Sequence, residues 1–385
     1  MSEPTTQLFK SYSKIENHTQ SSFITKLLEK NKSLEQLRGC KVEWICTEKV
    51  HGSNFSFIVH KPTQDHETTV EVANRNKILD VFSSFFKDAQ DEVIPRYRLS
   101  SIHLFNVVQE RIGTLIKQVD NQPLVVTKVQ IFGELFGGYF PVMGDSTLRK
   151  AHIQKGVYYC PHYDFYVFDV SVTVDNVDTW LHFDKVDPLL EEAGFRLRTK
   201  PLFRGSLQDC LNFDTEFNTT IPETFYSEIM KETGVTFKEK ENICEGIVIK
   251  PADTSVWVGA RAIIKKKNAK FTEVNPPKDK SNRQKKAQQT NNWTDMKGAD
   301  AWNEIERYIT ENRLMNVESK VGQISKHNLP LVMKEFVNDI IDDYNKDCEQ
   351  YETLPLHVLN PEDQKKIKKK LANKSQEIVK NYLQK

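Results

Sequence analysis

The chain has 385 residues, 38% of them hydrophobic and 10% aromatic, enough for a packed core and for two or three domains. Charged residues reach 28%, yet the formal net charge is only +1, so bulk charge neither marks nor excludes a nucleic-acid partner. No apolar run approaches the ~18 residues of a membrane span and the N-terminal stretch is polar, which excludes a spanning helix and a signal peptide. Glu3 and Glu16, with no arginine between them, speak against a mitochondrial presequence. Six scattered cysteines without a C-x-x-C pair fit a reduced intracellular protein, cytoplasmic or nuclear, rather than a zinc cluster.

Residues 1–20 read as a tail entering the fold. Residues 22–37 place Phe23, Leu27, Leu28 and Leu34 on one helical face, and Gly39 follows as a stop. Val42, Trp44 and Cys46 alternate with polar residues, and so do Phe55, Phe57 and Val59. Two strands joined at a turn are expected, with Lys49 in the turn beside Gly52. Taken alone, this is a surface hairpin with a lysine on it. A polar loop over 61–70 leads to a strand at 70–73 and to Arg75. The stretch 78–95 is mixed and Phe-rich, and 101–119 is an amphipathic helix.

Residues 125–132 alternate again and run into Gly133-Glu134-Leu135-Phe136-Gly137-Gly138. Cys160-Pro161-His162 has no second ligand pair nearby and reads as loop. Residues 165–172 form an apolar, β-prone run broken by one carboxylate, Asp169. That is a strand buried on both faces, where a lone Asp is costly unless paired. Residues 184–194 read as a helix closed by glycine. Residues 245–251 are a short strand with a charge at each end, and 261–271 a strand entering the basic cluster Lys265-Lys266-Lys267. Residues 273–298 hold Pro276-Pro277 and many Lys, Asn and Gln, the composition of a linker. Helices are expected at 299–314, 329–345 and 361–384. The expected organisation is therefore an α+β domain over 1–272, a basic flexible linker over 273–298, and a small all-helical domain over 299–385.

No G-x-x-x-x-G-K-[ST] or G-x-G-x-x-G is present, so phosphates are not cradled by a Gly-rich loop at a helix start. Charged residues instead punctuate the strand ends: Lys49, Arg75, Glu134, Asp169, Glu245, Lys250, Lys265 and Lys267. One such residue is commonplace; a set on successive strands implies a shared cleft.

At this point the sequence resembles a known family. Lys49-Val-His51-Gly-Ser-Asn54 is similar to the nucleotidyl-lysine motif of covalent nucleotidyltransferases, which comprise DNA ligases, RNA ligases and capping enzymes. His-Gly followed by Asn is the form of the RNA ligase 2 family, phage double-strand RNA ligase and RNA-editing ligases among them. Phe132-Gly-Glu134, Tyr166-Val-Phe168-Asp169, Glu245-Gly-Ile-Val-Ile-Lys250-Pro and Ile264-Lys265-Lys-Lys267-Asn268 resemble the motifs that follow, in order. Asn312-Arg313 and the residues to Ile324 resemble the helical C-terminal domain of the phage-type ligase. Departures are a longer segment at 77–125 and Lys266 inside the fifth motif.

The resemblance implies an antiparallel-sheet, ATP-grasp-like adenylation domain followed by the helical RNA-binding domain. It also implies an ATP-dependent RNA ligase that seals 3′-OH/5′-phosphate ends, nicked duplex RNA preferred, using Mg²⁺ or Mn²⁺ and active as a monomer. Lys49 would be the nucleophile that carries AMP. Lysine's ordinary pKa is about 10.4, so the chemistry calls for burial or nearby cations, which Lys265 and Lys267 would supply. Phe168 would stack on adenine, Glu134 bind ribose, Glu48 join the nucleotide site, and Lys250, Lys265 and Lys267 handle phosphates. Glu245 and Asp169 would partner the lysines or the metal. His51, Asn54 and Arg75 would act around phosphates and sealing, and Arg313 would contact RNA. Lys266 is turned away by strand alternation. The lysine run at 365–370 reads as a solvated helix face, with an RNA role open, and Asp339 and Asp343 are a candidate pair one helical turn apart. Two alternatives are a DNA ligase or capping enzyme, and a non-catalytic RNA-binding protein on a ligase fold.

Overall fold

The computed structural model describes residues 9–62, 68–116, 124–141, 152–276, 293–294 and 296–384. The expected loop at 61–70, the end of the helix expected at 101–119, the stretch after Gly138 and most of the expected linker thus lie partly outside the described residues. The chain forms two compact units, Met1–Asn268 and Ala269–Lys385.

In the first unit the order is β1 (Glu16–Asn17), α1 (Ser21–Arg38), β2 (Trp44–Glu48), β3 (Ser53–His60), β4 (Thr69–Asn74), β5 (Ile78–Leu79) and α2 (Lys87–Leu115). It continues with β6 (Val126–Gly137), β7 (Tyr163–Val174), β8 (Val177–Trp180), α3 (Phe183–Glu192), β9 (Pro201–Gly205), α4 (Leu207–Asn212), α5 (Ile221–Phe225) and α6 (Ser227–Thr233). Four strands close it: β10 (Gly246–Pro251), β11 (Trp257–Val258), β12 (Ala260–Arg261) and β13 (Ile264–Lys267). Among the described residues the strands form a five-stranded sheet, β1-β13-β10-β2-β9, a six-stranded sheet, β5-β4-β3-β6-β7-β8, and the small β11-β12 pair. All pairings are antiparallel except that of β1 with β13.

The expected hairpin around Lys49 is not one. β2 pairs with β10 and β9, whereas β3 pairs with β4 and β6, so residues 49–52 cross from one sheet to the other. Apolar alternation specifies a strand, not which strand it pairs with. Each sheet has its own core. Phe55, Phe57, Val59, Val129, Ile131 and Leu135 pack beneath α2 and α3, while Trp44, Cys46, Ile247 and Ile249 pack beneath α1 and α4. α2 starts fourteen residues before the expected helix and runs through Pro95. Ala89, Val93, Tyr97, Leu104, Val108 and Ile112 keep one buried face through the proline, and that burial outweighs the lost backbone bond. The expected strand from Arg261 is interrupted: Arg261 pairs with Trp257, and the sheet strand resumes at Ile264.

β7 carries a bulge. Phe132 faces Asp169 and Gly133 faces Val167, so Phe168 has no partner across the ladder. The extra residue shifts the parity of the strand: Phe165 and Val167 lie in the core before it, and Val170, Val172 and Val174 after it. Phe168 and Asp169 are thereby kept out of the apolar layer under α2.

The second unit holds α7 (Met296–Ile305), α8 (Glu311–Val321), α9 (Leu329–Asp347) and α10 (Pro361–Leu383) around a core that includes Trp302, Tyr308, Leu314, Phe336, Ile340 and Leu371. The single helix expected at 299–314 is broken. Thr310 is extended, and its hydroxyl accepts the Arg313 N–H at 3.2 Å as the N-cap of α8, a start signal inside a periodic run. Residues 270–275, half of them assigned to the flexible linker, are bound to this unit. Asn312 Nδ2 donates to the carbonyls of Lys270 and Thr272, both at 2.9 Å, and Arg307 and Asn275 exchange backbone and side-chain bonds at 2.9 Å. No described helix is long and apolar enough to cross a membrane.

Candidate active site at the junction of the two sheets

Lys49 leaves the end of β2, held by its own N–H to the Gly246 carbonyl at 2.9 Å. Gly246 directly follows Glu245 and pairs with Lys267 of β13. Its φ of +147° and a virtual Cβ only 2.2 Å from the Lys266 carbonyl make any side chain intolerable there. The strand starts therefore bring Lys49, Glu245 and Lys267 together from distant parts of the chain.

Glu245 is the hub. One carboxylate oxygen accepts Lys49 Nζ at 2.7 Å and faces His51 Nδ1 at 3.2 Å, while the other meets Lys267 Nζ at 2.8 Å. Burial would raise its pKa, but Lys267, Lys49 and His51 together hold it well below the usual carboxylate range. The Lys49 side chain retains 19% exposure against 1% for Glu245, and is the most exposed member of the set.

The crossing turn is pinned on the other sheet. A Cβ on Gly52 would lie 2.3 Å from the Leu135 carbonyl, so only glycine lets the turn approach β6 this closely. The His51 N–H donates to the Tyr159 hydroxyl at 2.8 Å, and Nε2 lies 3.1 Å from the Lys155 carbonyl. Asn54 lies directly across the ladder from Glu134. Glu134 is half-buried; desolvation raises its pKa to about 8, against the opposing pull of Lys49, Arg75 and Lys267. Arg75, just past β4, is exposed. Lys265 is half-buried on the same face of β13 as Lys267. Lys266 points the other way, as alternation requires, and donates to the Leu211 and Phe213 carbonyls at 2.9 and 2.7 Å rather than to solvent.

A second charged cluster links the sheets. One Asp169 oxygen accepts Arg261 at 2.6 Å, the Tyr12 hydroxyl at 2.9 Å and Lys250 Nζ at 3.2 Å. Lys250 also donates to the Phe168 carbonyl at 2.9 Å, and the Arg261 guanidinium lies 4.5 Å from the Trp180 ring. Burial would raise the Asp169 pKa, but Arg261 and Lys250 lower it. Burial lowers that of Lys250 despite Asp169.

Several expectations need correction. Asp169 partners a lysine as expected, through Lys250; it is the metal role that needs correction, because two cations and a phenol occupy one of its oxygens and the Val170 N–H faces the other. Lys250 is buried on the bulge, which places it behind Phe168 rather than in open reach of a phosphate chain. Glu48 is buried, and the Thr219 hydroxyl and the Thr220 N–H and hydroxyl, at 2.8 and 2.7 Å, take up its carboxylate. It anchors that loop. Arg313 is 1% exposed, because its face of α8 turns inward. It bonds to Asp339 at 2.5 Å and Asp343 at 2.8 Å, with Glu273 at 3.8 Å, so it is not offered to RNA. The carboxylates of Glu273, Asp339 and Asp343 are close enough to one another to hold a metal ion, but the guanidinium already sits among them. Lys365, Lys368 and Lys369 are exposed, while Lys370 lies over Trp293 and Trp302 at 4.6 and 5.3 Å. Tyr12, Arg261 and Tyr159 were missed. The only signal in the sequence was the need of a buried Asp169 for partners.

The order of these residues along the chain matches a known family model. The RNA ligase model covers residues 42–267, every strand of the junction except β1, and the model for the T4 RNA ligase 2 C-terminal region covers residues 293–377. The chain belongs to the RNA ligase family. RNA-editing ligase 2, mitochondrial, of Trypanosoma brucei brucei is 26% identical over 264 residues, which is 63% of this chain and 55% of the relative. RNA-editing ligase 1, mitochondrial, is 27% identical over 258 residues, 61% of this chain and 51% of the relative. The chain thus spans about half the length of the curated relatives it matches. A Naegleria gruberi RNA ligase mutant with ATP and Mn superimposes with a TM-score of 0.35 at 16% identity, covering 69% of this chain and 58% of that one.

Proposed function

We propose that this RNA ligase family member is an ATP-dependent enzyme that joins RNA 3′-OH and 5′-phosphate ends through an AMP adduct on Lys49. The observation that carries the reading is the Glu245 hub, which holds the partly exposed Lys49 side chain beside a second, more buried lysine and a histidine.

In the first step the Lys49 ammonium leaves Glu245, gives its proton to solvent water, and as the free amine attacks the α-phosphorus of ATP. The N–P bond forms as the bond to the bridging oxygen breaks, and pyrophosphate departs. Lys267 and Lys265, on one face of β13, offset the charge that builds on the departing oxygens. Phe168, raised by the bulge, stacks on the adenine, and Glu134, protonated over much of the neutral range, donates to the ribose. An RNA 5′-phosphate oxygen then attacks the adenylyl phosphorus, the N–P bond breaks and Lys49 regains its amine. Finally the RNA 3′-OH attacks the 5′-phosphate and AMP leaves.

A divalent cation fits this donor set. Glu245 offers hard oxygen donors, and Mg²⁺ or Mn²⁺ is commonly held by one or two carboxylates together with substrate phosphates. When bound it would neutralise phosphate charge. Glu245 is the residue that would hold it, in exchange for Lys49. The helical second unit, matched by the T4 RNA ligase 2 C-terminal model, supports RNA as the substrate; nicked duplex as the preferred form and repair or editing as the role are part of this proposal. The enzyme acts as a monomer in this reading.

The test is incubation with Mg²⁺ and α-labelled ATP, GTP or NAD⁺, followed by a denaturing gel. Label is expected from ATP alone and absent in Lys49→Ala. Sealing of nicked duplex RNA, nicked DNA and single-stranded RNA then ranks the substrates. Absence of label from every nucleotide would sink the enzymatic reading.

A further inference from the structure

Residues 9–20, expected to belong to a tail, are built into the first unit. β1 pairs in parallel with β13, Glu16 opposite Ile264 and Asn17 opposite Lys265. The Glu16 N–H donates to the Ile263 carbonyl at 2.9 Å and the His18 N–H to the Lys265 carbonyl at 3.0 Å. At its other end the segment is tied to the second sheet, where Lys10 pairs with Asp178 at 3.2 Å. Between these anchors Tyr12 enters the Asp169 cluster. Its hydroxyl donates to Asp169 at 2.9 Å. Its ring meets Phe168 edge-on at 5.0 Å, Phe132 at 5.1 Å and Trp180 at 5.4 Å.

Phe168 is the bulged residue of β7 and lacks a ladder partner, so the strand by itself does not fix its aim. Lys250 secures its carbonyl from one side and Tyr12 holds its ring from another. We propose that Tyr12 is a positioning residue for nucleotide binding: the N-terminal arm straps the two sheets together and sets the Phe168 ring for stacking on the base of ATP. The inference rests on the adenylylation reading above. It adds that the arm belongs to the ATP site, and that its contribution divides between the ring and the hydroxyl. The ring sets Phe168. The hydroxyl supplies Asp169 with an uncharged side-chain donor, beside Arg261 and Lys250.

The test compares wild type, Tyr12→Phe, Tyr12→Leu and Tyr12→Ala in single-turnover formation of the labelled Lys49 adduct across ATP concentrations, with thermal denaturation alongside. The half-saturating ATP concentration is expected to rise about tenfold in Tyr12→Ala and Tyr12→Leu, the order set by losing several aromatic contacts. Tyr12→Phe, which keeps the ring, should restore it to within about threefold. The rate at saturating ATP should change far less than the half-saturating concentration. Unchanged half-saturation in Tyr12→Leu, or a loss that follows only a lowered melting temperature while ATP dependence stays that of wild type, would overturn the proposal. Should wild type itself form no adduct, the adenylylation reading fails first, and the variants are then compared by displacement of a fluorescent ATP analogue, where the same rank order is expected.

Discussion

The two units each hold a buried ionic hub, and the hubs are inverted copies in charge. In the first, one carboxylate, Glu245, is surrounded by Lys49, Lys267 and His51. In the second, one guanidinium, Arg313, is surrounded by Asp339, Asp343 and Glu273. Both central groups are 1% exposed. The difference lies in the rim. The Glu245 hub has lysines directly on its central carboxylate, sits where one sheet hands the chain to the other, and needs Gly52 and Gly246 for its backbone to approach so closely. The Arg313 hub has carboxylates directly around the guanidinium, with Lys320 and Lys346 only beyond them, packs on the Tyr308 ring at 5.3 Å, and joins α8, α9 and the segment after Asn268. A buried charge cluster is therefore not by itself a reactive site. The two differ in what they join: the Glu245 carboxylate holds two lysines and a histidine where the chain crosses between sheets, whereas the Arg313 guanidinium ties helices together.

Substitutions at the two centres should separate these roles. Glu245→Gln is expected to reduce formation of the labelled Lys49 adduct by about 100-fold, because Lys49 and Lys267 lose the carboxylate that organises them. If the adduct formed at the wild-type rate, the hub would be structural like its counterpart. Arg313→Met should destabilise the second unit by about 3–5 kcal/mol, since three acids are left around an uncharged side chain. Chemical denaturation would read that loss, while adduct formation by Lys49 should stay within about twofold of wild type. A selective loss of adduct without destabilisation would return Arg313 to the chemistry.

The smallest effect concerns Glu134. Its folded pKa of about 8 lies above its ordinary value, so it favours folding fully below the ordinary carboxylate range. That contribution is lost as pH rises toward 8, where the buried acid must ionise. Glu134→Gln, a mimic of the protonated acid, should therefore gain thermal stability over wild type progressively from pH 5 to pH 8. A difference independent of pH would show that Glu134 is already ionised in the cleft.

The positions of the candidate site residues were legible because charge at or near the end of an alternating strand is a local pattern. Lys49, Glu134, Glu245 and Lys267 stand where the alternation of β2, β6, β10 and β13 places them. The second-unit helices were legible from their periodicity, except at Thr310, where a capping hydroxyl divides a run that remains periodic across the break. The helix through Pro95 was not, because the apolar face that sustains it is recognised only once a sheet lies against it.

The sequence by itself determined most of the sheet strands, the periodic runs of the second unit and the charged residues proposed for the site, since these follow from side-chain period and residue type. Only the tertiary structure decided that β2 and β3 belong to different sheets, that a bulge turns Phe168 and Asp169 away from the core, and that Tyr12 and Arg261 are the partners Asp169 requires. Tyr12 lies 157 residues before Asp169 and Arg261 lies 92 after it. Strand alternation repeats every two residues and carries no information about such separations. The partners of a buried charge are chosen by which strands pair, and that choice belongs to the packing of the whole unit.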